Sequence, residues 1–167
     1  REQAIKDLKN ALEIDRDFTD AYALLGYIQA DGGWYEDAIR NLREAVRRDP
    51  SSHRAYMNLA NVYVTVGEYG QAEYMIRKAC ELKPTSYLAQ YHHGVIYMHL
   101  EQVADAIAAF KRAEKLNPEF CDTYSNLALL YEKNGDLKEA MHYWKLRIDH
   151  ATPKDRALSN IKLKYAQ

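Results

Sequence analysis

Apolar residues recur along this chain at an interval of 34 positions. Small residues form one such column at Ala38, Ala72, Ala106 and Ala140. Large residues form a second column at Leu42, Ile76, Phe110 and Trp144. Within each 34-residue unit, positions 4, 7, 8 and 11 share one helical face, and positions 20, 24 and 27 share another. The pattern therefore predicts two helices in every unit.

Glycine and proline mark the ends of these helices. Gly33, Gly67 and Gly135 recur between the two apolar faces, where a left-handed residue can end a helix. Pro50, Pro84 and Pro118 follow the second face and prevent further helix. The predicted first helices cover 19–31, 53–66, 87–100 and 121–134. The predicted second helices cover 35–49, 69–83, 103–117 and 137–150.

The length and columns of the unit resemble those of the tetratricopeptide repeat. Four full units cover 19–52, 53–86, 87–120 and 121–154, after a partial unit over 1–18 that matches a second helix and before a capping helix over 155–167. The resemblance implies one continuous all-α domain, a right-handed α-α superhelix (solenoid) with the first helices on its concave side. The third unit departs from the pattern at His93, where leucine is usual, and at Glu101, where the turn glycine is usual. The fourth unit has Thr152 in the proline column, with Pro153 one place later.

Positions 2, 5, 6, 9, 12 and 13 of each first helix form the face that the core columns leave free, and in tetratricopeptide proteins this face contacts peptides. Asp31 and Thr65 occupy position 13. From this face we predict a peptide-binding site that consists of Tyr27, Arg54, Met57, Asn58, Asn61, Tyr91, His92, Val95, Met98, Asn126 and Leu129. Exposed apolar and aromatic groups of this kind generally mark a binding surface. The alternative is that these side chains pack across the boundaries between units.

Position 6 of the four units carries Leu24, Asn58, His92 and Asn126, so the amides of Asn58 and Asn126 form an incomplete row. A side-chain amide donates and accepts hydrogen bonds, so a row of them can hold the backbone of an extended peptide. The row resembles the asparagine ladder in the superhelix of O-linked N-acetylglucosamine transferase, although Leu24 interrupts it. The alternative is that these amides cap or pack against the protein's own helices.

Tetratricopeptide co-chaperones hold a C-terminal carboxylate with lysine at position 5 and asparagine at position 9, asparagine at position 6 of the next unit, and basic residues at positions 2 and 6 of the third. This chain has Ala23 and Tyr27, then Asn58, then Leu88 and His92 at those places. The lysines are absent, so we predict that a free carboxylate is not the main anchor.

Charge and composition narrow the function further. The chain has 23 basic and 24 acidic residues, a formal net charge of −1, which favours no nucleic-acid partner. Many acidic residues are predicted to pair with arginines on outer helical faces, as in Glu36–Arg40 and Glu44–Arg48. No apolar run is long enough to span a membrane. Cys80 and Cys121 are expected to be two buried apolar side chains.

The residue pattern carries no strong signal for chemistry. His92, His93 and His99 lie on one helix without the spacing of three or four residues that metal ligation favours. No phosphate-binding glycine loop and no nucleophile elbow occur. We therefore predict no metal, no cofactor and no enzymatic activity.

The predicted function is a protein–protein interaction module that holds a peptide of a partner protein in its concave groove. Two alternatives remain at this point: a structural segment that self-associates through its N-terminal helix, or the non-catalytic, substrate-recruiting part of a larger enzyme such as a glycosyltransferase with tetratricopeptide repeats. The chain begins with Arg1 and shows no signal peptide, so we expect it to be a fragment. The sequence is compatible with the cytoplasm or the periplasm.

Overall fold

A computed structural model describes residues 1–151 of the chain, and over that range it contains helices and no strands. The helices are α1 (Glu2–Ile14), α2 (Thr19–Asp31), α3 (Tyr35–Arg48), α4 (His53–Thr65), α5 (Tyr69–Leu82), α6 (Tyr87–His99), α7 (Val103–Leu116), α8 (Cys121–Lys133) and α9 (Leu137–Asp149). From α2 to α9 every boundary lies within one residue of its predicted position. The predicted capping helix over 155–167 lies outside the described residues.

The chain forms two compact units, residues 1–85 and residues 86–167. The first unit contains α1 to α5, and the described part of the second contains α6 to α9. The most extensive contacts join α2 to α3, α4 to α5, α6 to α7 and α8 to α9. Each of these pairs is one predicted repeat, so the fold is the all-α helix–turn–helix repeat architecture of a solenoid.

The two apolar columns form the cores of these helix pairs. Ala38 and Leu42 of α3 are fully buried, as are Ala106 and Phe110 of α7. Small residues of the first helices let these large side chains approach closely. A Cβ atom added to Gly94 would lie 2.8 Å from three carbon atoms of the Phe110 ring, and one added to Gly26 would lie 2.6 Å from Leu42 Cγ. Real Cβ atoms do not approach other atoms so closely. The helices α2 and α3, and likewise α6 and α7, can therefore pack at their observed separation only because Gly26 and Gly94 have no side chain.

The turns between paired helices share one conformation. Gly33, Gly67 and Gly135 all have φ near +81°, and Glu101 occupies the same position with φ of 59°. The Glu101 backbone N–H donates to the Met98 carbonyl at 3.1 Å, as the Gly33 N–H does to the Ala30 carbonyl. The third repeat therefore keeps the turn, although an L-residue in this region is strained.

Three expectations from the sequence need correction. Arg40 pairs with Asp37 at 3.0 Å and not with Glu36: both carboxylates lie within one helical turn of Arg40, and the guanidinium reaches the nearer one in sequence. Cys80 and Cys121 are half-buried and not fully buried, since both lie beside the core columns and not within them.

We predict that Glu101→Gly stabilises the protein. Glycine removes the left-handed strain of about 1–2 kcal/mol but adds roughly 0.5–1 kcal/mol of unfolded-state entropy. The free energy of unfolding should therefore rise by about 0.5–1 kcal/mol in urea titrations. The matched control is Gly67→Ala, which introduces the same strain in another turn and should lower stability by about 1 kcal/mol. A lower urea midpoint for Glu101→Gly would contradict the assignment of strain to this turn.

Candidate functional site

The first unit has a cleft between the C-terminal halves of α2 and α4, which we call the α2–α4 cleft. Its volume is about 210 Å³. The residues that line it are Tyr27, Ala30, Asp31, Tyr35, Leu42, Asn58, Asn61, Val62 and Thr65. Six of these nine residues occupy the face positions counted from the sequence, so this part of the predicted face forms a concave surface.

Polar and aromatic groups of the α2–α4 cleft remain accessible. Tyr27 is 55% exposed, and Asn58 and Asn61 are half-buried. Within the described part of the chain, neither asparagine side chain makes a hydrogen bond to another residue. The Thr65 hydroxyl donates to the backbone carbonyl of Asn61 at 3.0 Å, which leaves the Asn61 amide unengaged. Leu59 and Ala60 turn towards the core and are fully buried, which leaves the two amides facing outwards. Each amide can therefore donate to and accept from a bound backbone.

Asp31 places a negative charge at the edge of this cleft. It is the last residue of α2, and its side chain is 59% exposed. The guanidinium of Arg1 forms an ion pair with the Asp31 carboxylate. Tyr35 begins α3 directly after the turn and adds a second aromatic wall. The cleft thus combines two tyrosines, two amides and one carboxylate.

The second unit has another surface of the predicted kind on α6 and α8, which we call the α6–α8 face. Its residues are Tyr91, His92, Val95, Met98, Asn126 and Leu129. Leu129 is 46% exposed, and the other five are half-buried. The rings of Phe110 and Phe120 lie 5.6 Å and 4.9 Å from the Tyr91 ring, and Val95 and Met98 also pack against the core of this unit. These side chains therefore serve the fold as well as the surface.

Asn126 is engaged within its own unit. Its Nδ2 atom donates to the Tyr91 hydroxyl at 3.1 Å and to the Asp122 carbonyl at 3.1 Å. Both amide hydrogens are thus used, and the Asn126 carbonyl oxygen is the group that could receive a bond from a ligand. Asn58 and Asn126 occupy the same repeat position but differ in the hydrogen-bonding groups that remain available to a ligand.

Burial shifts the pKa of two residues on the α6–α8 face. It raises the pKa of Tyr91, although the hydrogen bond from Asn126 opposes this and the Asp122 charge adds to it. Burial also lowers the pKa of His92, because the charged imidazolium is deprived of the hydration that would stabilise it in water. His92 is therefore a neutral hydrogen-bonding group at pH 7.

The structure brings the eleven predicted site residues to the surface in different ways. None of them is fully buried. Tyr27, Asn58 and Asn61 meet in the α2–α4 cleft, and the six second-unit residues form the α6–α8 face. Arg54 and Met57 lie in the first turns of α4, outside the residues that line the cleft.

Sequence reasoning did not select Asp31 and Thr65 as contacts, although both were counted on the predicted face and line the α2–α4 cleft. It missed Tyr35 and Val62, because neither belongs to the helical face that it considered. In residues 1–151 no group of three histidine, cysteine or acidic side chains is placed to hold a metal ion. None of the described helices combines the length and apolar character that crossing a bilayer requires.

Comparisons with known proteins agree with this architecture. A family model described as TPR repeat matches residues 94–135, and one described as Tetratricopeptide repeat matches residues 24–87. Together they match more than half of the chain. No curated protein has a sequence that matches.

Solved structures have the same fold. A crystal structure of MamA is 27% identical with a TM-score of 0.83, over 96% of this chain and 90% of that one. A thermophilic TPR protein of Thermus thermophilus is 25% identical with a TM-score of 0.76, over 97% of this chain and 87% of that one. A MamA fragment from Desulfovibrio magneticus RS-1 is 21% identical with a TM-score of 0.84, over 92% of this chain and 87% of that one, a likeness of fold alone.

We predict that the fold is less stable at pH 5 than at pH 7 and that His92 contributes to the difference. Its folded pKa is lowered, so the unfolded chain binds the proton more readily, and stability is lost as the pH falls through about 6.5. The pKa of His53 is also lowered, first by burial and then by the charges of Lys83 and Arg54, so His53 acts in the same direction. The hydrogen bond from Arg47 lowers the pKa of Glu44 to about 2. The stability that Glu44 contributes is therefore lost only below about pH 4.5, outside the range between pH 5 and 7.

Urea titrations between pH 5 and 7 would measure this effect. His92→Gln should reduce the pH dependence, while His142→Gln, which removes an exposed histidine of α9, controls for the loss of a histidine elsewhere. The same pH dependence in His92→Gln and the unaltered protein would contradict the prediction.

Proposed function

Because this chain belongs to the tetratricopeptide repeat family and is a protein-interaction or scaffold module, we propose that it binds a peptide segment of a partner protein through its first helices. The observation that carries the proposal is the α2–α4 cleft with its outward-facing amides, Asn58 and Asn61. Such amides can pair with a peptide backbone whatever the side chains are. The tetratricopeptide fold is typically non-catalytic, and we propose that this chain acts by binding alone.

The size of the cleft favours an extended segment over a helix. Pockets that enclose a whole small ligand have volumes of about 300–1,000 Å³. The α2–α4 cleft, at about 210 Å³, is smaller and suits one or two side chains of a peptide. A helix has a diameter of about 10 Å and could not enter it. The extended backbone would lie across the amides while a side chain enters beside Tyr27.

The α6–α8 face supports a second, more apolar contact. Leu129 projects from α8, and Val95 and Met98 lie half-buried on α6. Tyr91 is held by two phenylalanine rings and by Asn126, so little side-chain entropy is lost when a partner covers it. We propose that this face binds apolar side chains of a partner.

A second candidate function, self-association, is supported by α1. Leu8 occupies the same column as Leu42, Ile76 and Phe110, which are fully buried, yet Leu8 is only half-buried. No residue of α1 is fully buried, and Ile14 is 89% exposed. We propose that the open apolar side of α1 can pack against a second copy of the chain.

We predict that Tyr27→Ala combined with Asn58→Ala strongly weakens peptide binding and leaves helical content intact. Tyr27 is largely exposed and the Asn58 side chain makes no hydrogen bond within residues 1–151, so the loss of these two side chains costs the fold little. Each removes a contact of about 1–2 kcal/mol, which together weaken binding by at least about tenfold. A displayed library of random twelve-residue peptides, selected on the full chain, would supply the probe sequences for calorimetry.

The matched control is Tyr74→Ala, which removes a tyrosine of 47% exposure from the second helix α5. It should bind the selected peptides as the unaltered chain does. Tyr91 is a poor test residue, because truncating it also removes ring packing from the core. Equal binding by the Tyr27/Asn58 double variant, with circular dichroism unchanged, would exclude the cleft as the binding site.

For the second candidate function we predict that the chain dimerises. Ile5→Ser combined with Ile14→Ser should raise the dissociation constant of the dimer by at least about tenfold, since two apolar contacts of about 1 kcal/mol each are lost. Sedimentation velocity over a hundredfold range of concentration measures this. The control is Leu137→Ser, which makes the same kind of change at an exposed residue of α9. A monomer at every concentration would exclude self-association.

A further inference from the structure

We infer that the α2–α4 cleft selects a basic side chain, arginine or lysine, of an extended peptide, and that Asp31 is the residue that specifies it. This inference rests on the proposed peptide-binding function and adds the chemistry of the residue that is bound. It is carried by the charge of the cleft, the aromatic walls and the ion pair that Asp31 already makes.

Asp31 sets the charge of the cleft. Of the nine described residues that line it, Asp31 alone carries a formal charge, and no lysine, arginine or histidine is among them. A cation that enters the cleft would therefore meet an opposite charge, while an acidic side chain would meet repulsion. Thr65 and the two asparagines supply further oxygen atoms that accept hydrogen bonds from an ammonium or guanidinium group.

The chain itself shows which group this carboxylate takes. The guanidinium of Arg1 pairs with Asp31, which is 30 residues away in sequence. Both side chains are more than half exposed, so the pair is weak and exchangeable. A carboxylate has about four lone-pair sites, so a second cation can share Asp31 with Arg1 or replace it.

The two tyrosines favour the same class of side chain. Tyr27 and Tyr35 both line the cleft and present aromatic surface to it. A cation over a tyrosine ring is attracted by the negative face of the ring, even at an exposed site. The long apolar stems of arginine and lysine can also cover ring surface while the charged end reaches the rim. A short acidic or polar side chain could do neither.

Selection from one peptide library on three proteins would test the inference. The library of random twelve-residue peptides is selected on the unaltered chain, on Asp31→Asn and on Asp20→Asn. Asp20 is an exposed aspartate in the first turn of the same helix and does not line the cleft, so it provides a matched control. We expect enrichment of arginine or lysine at one position on the unaltered chain and on Asp20→Asn, and loss of that enrichment on Asp31→Asn.

Synthetic peptides would then give the size of the effect. A selected peptide and its version with glutamine in place of the basic residue should differ about three- to ten-fold in dissociation constant on the unaltered chain. The difference should shrink to below about twofold on Asp31→Asn and at about 1 M salt, where surface charges are screened. Arg1→Ala removes the internal competitor and should strengthen binding of the basic peptide by up to about threefold, with little effect on the glutamine version.

The outcomes separate this inference from the function on which it rests. If no peptide is enriched on the unaltered chain, the proposed peptide binding fails. If peptides are enriched without a preference for a basic residue, or if the preference persists in Asp31→Asn, the peptide-binding function stands and the inference about Asp31 is overturned.

Discussion

Close packing of a small residue against a large one within each helix pair is the interaction on which the rest of this structure depends. Gly94 faces the Phe110 ring and Gly26 faces Leu42, at distances that admit no Cβ atom. The contact sets how near the two helices of a repeat approach. Because it recurs every 34 residues, it also decides which side of each first helix is turned away from its partner.

The surfaces available for binding follow from this constraint. In the first unit, α2 and α4 leave a cleft whose amides have no hydrogen bonds to other described residues. In the second unit, the corresponding residues of α6 and α8 are drawn partly into the core, because the aromatic rings of Phe110 and Phe120 support Tyr91. Equivalent repeat positions thus offer open hydrogen-bonding groups in one unit and a rigid apolar surface in the other.

The turns illustrate how strongly the packing constrains the backbone. Glu101 adopts the left-handed conformation that glycine has in the other three turns. The local cost of this conformation, about 1–2 kcal/mol, is smaller than what would be lost if the helix pair shifted out of register and exposed a residue such as Phe110. Burial of the large apolar column therefore outweighs the backbone preference of Glu101.

The periodic spacing of apolar residues determined the type of every described helix and the face of each first helix that points away from the core, and the glycines and prolines between them gave the boundaries of α2 to α9 to within one residue. Periodicity carries this information because helical geometry converts sequence spacing directly into direction. Only the tertiary structure decided that Asn126 donates to Tyr91, that Tyr35 joins the α2–α4 cleft, and that Asp31 pairs with Arg1. These contacts join residues from different helices, and the distances between such residues depend on packing and not on spacing along the chain.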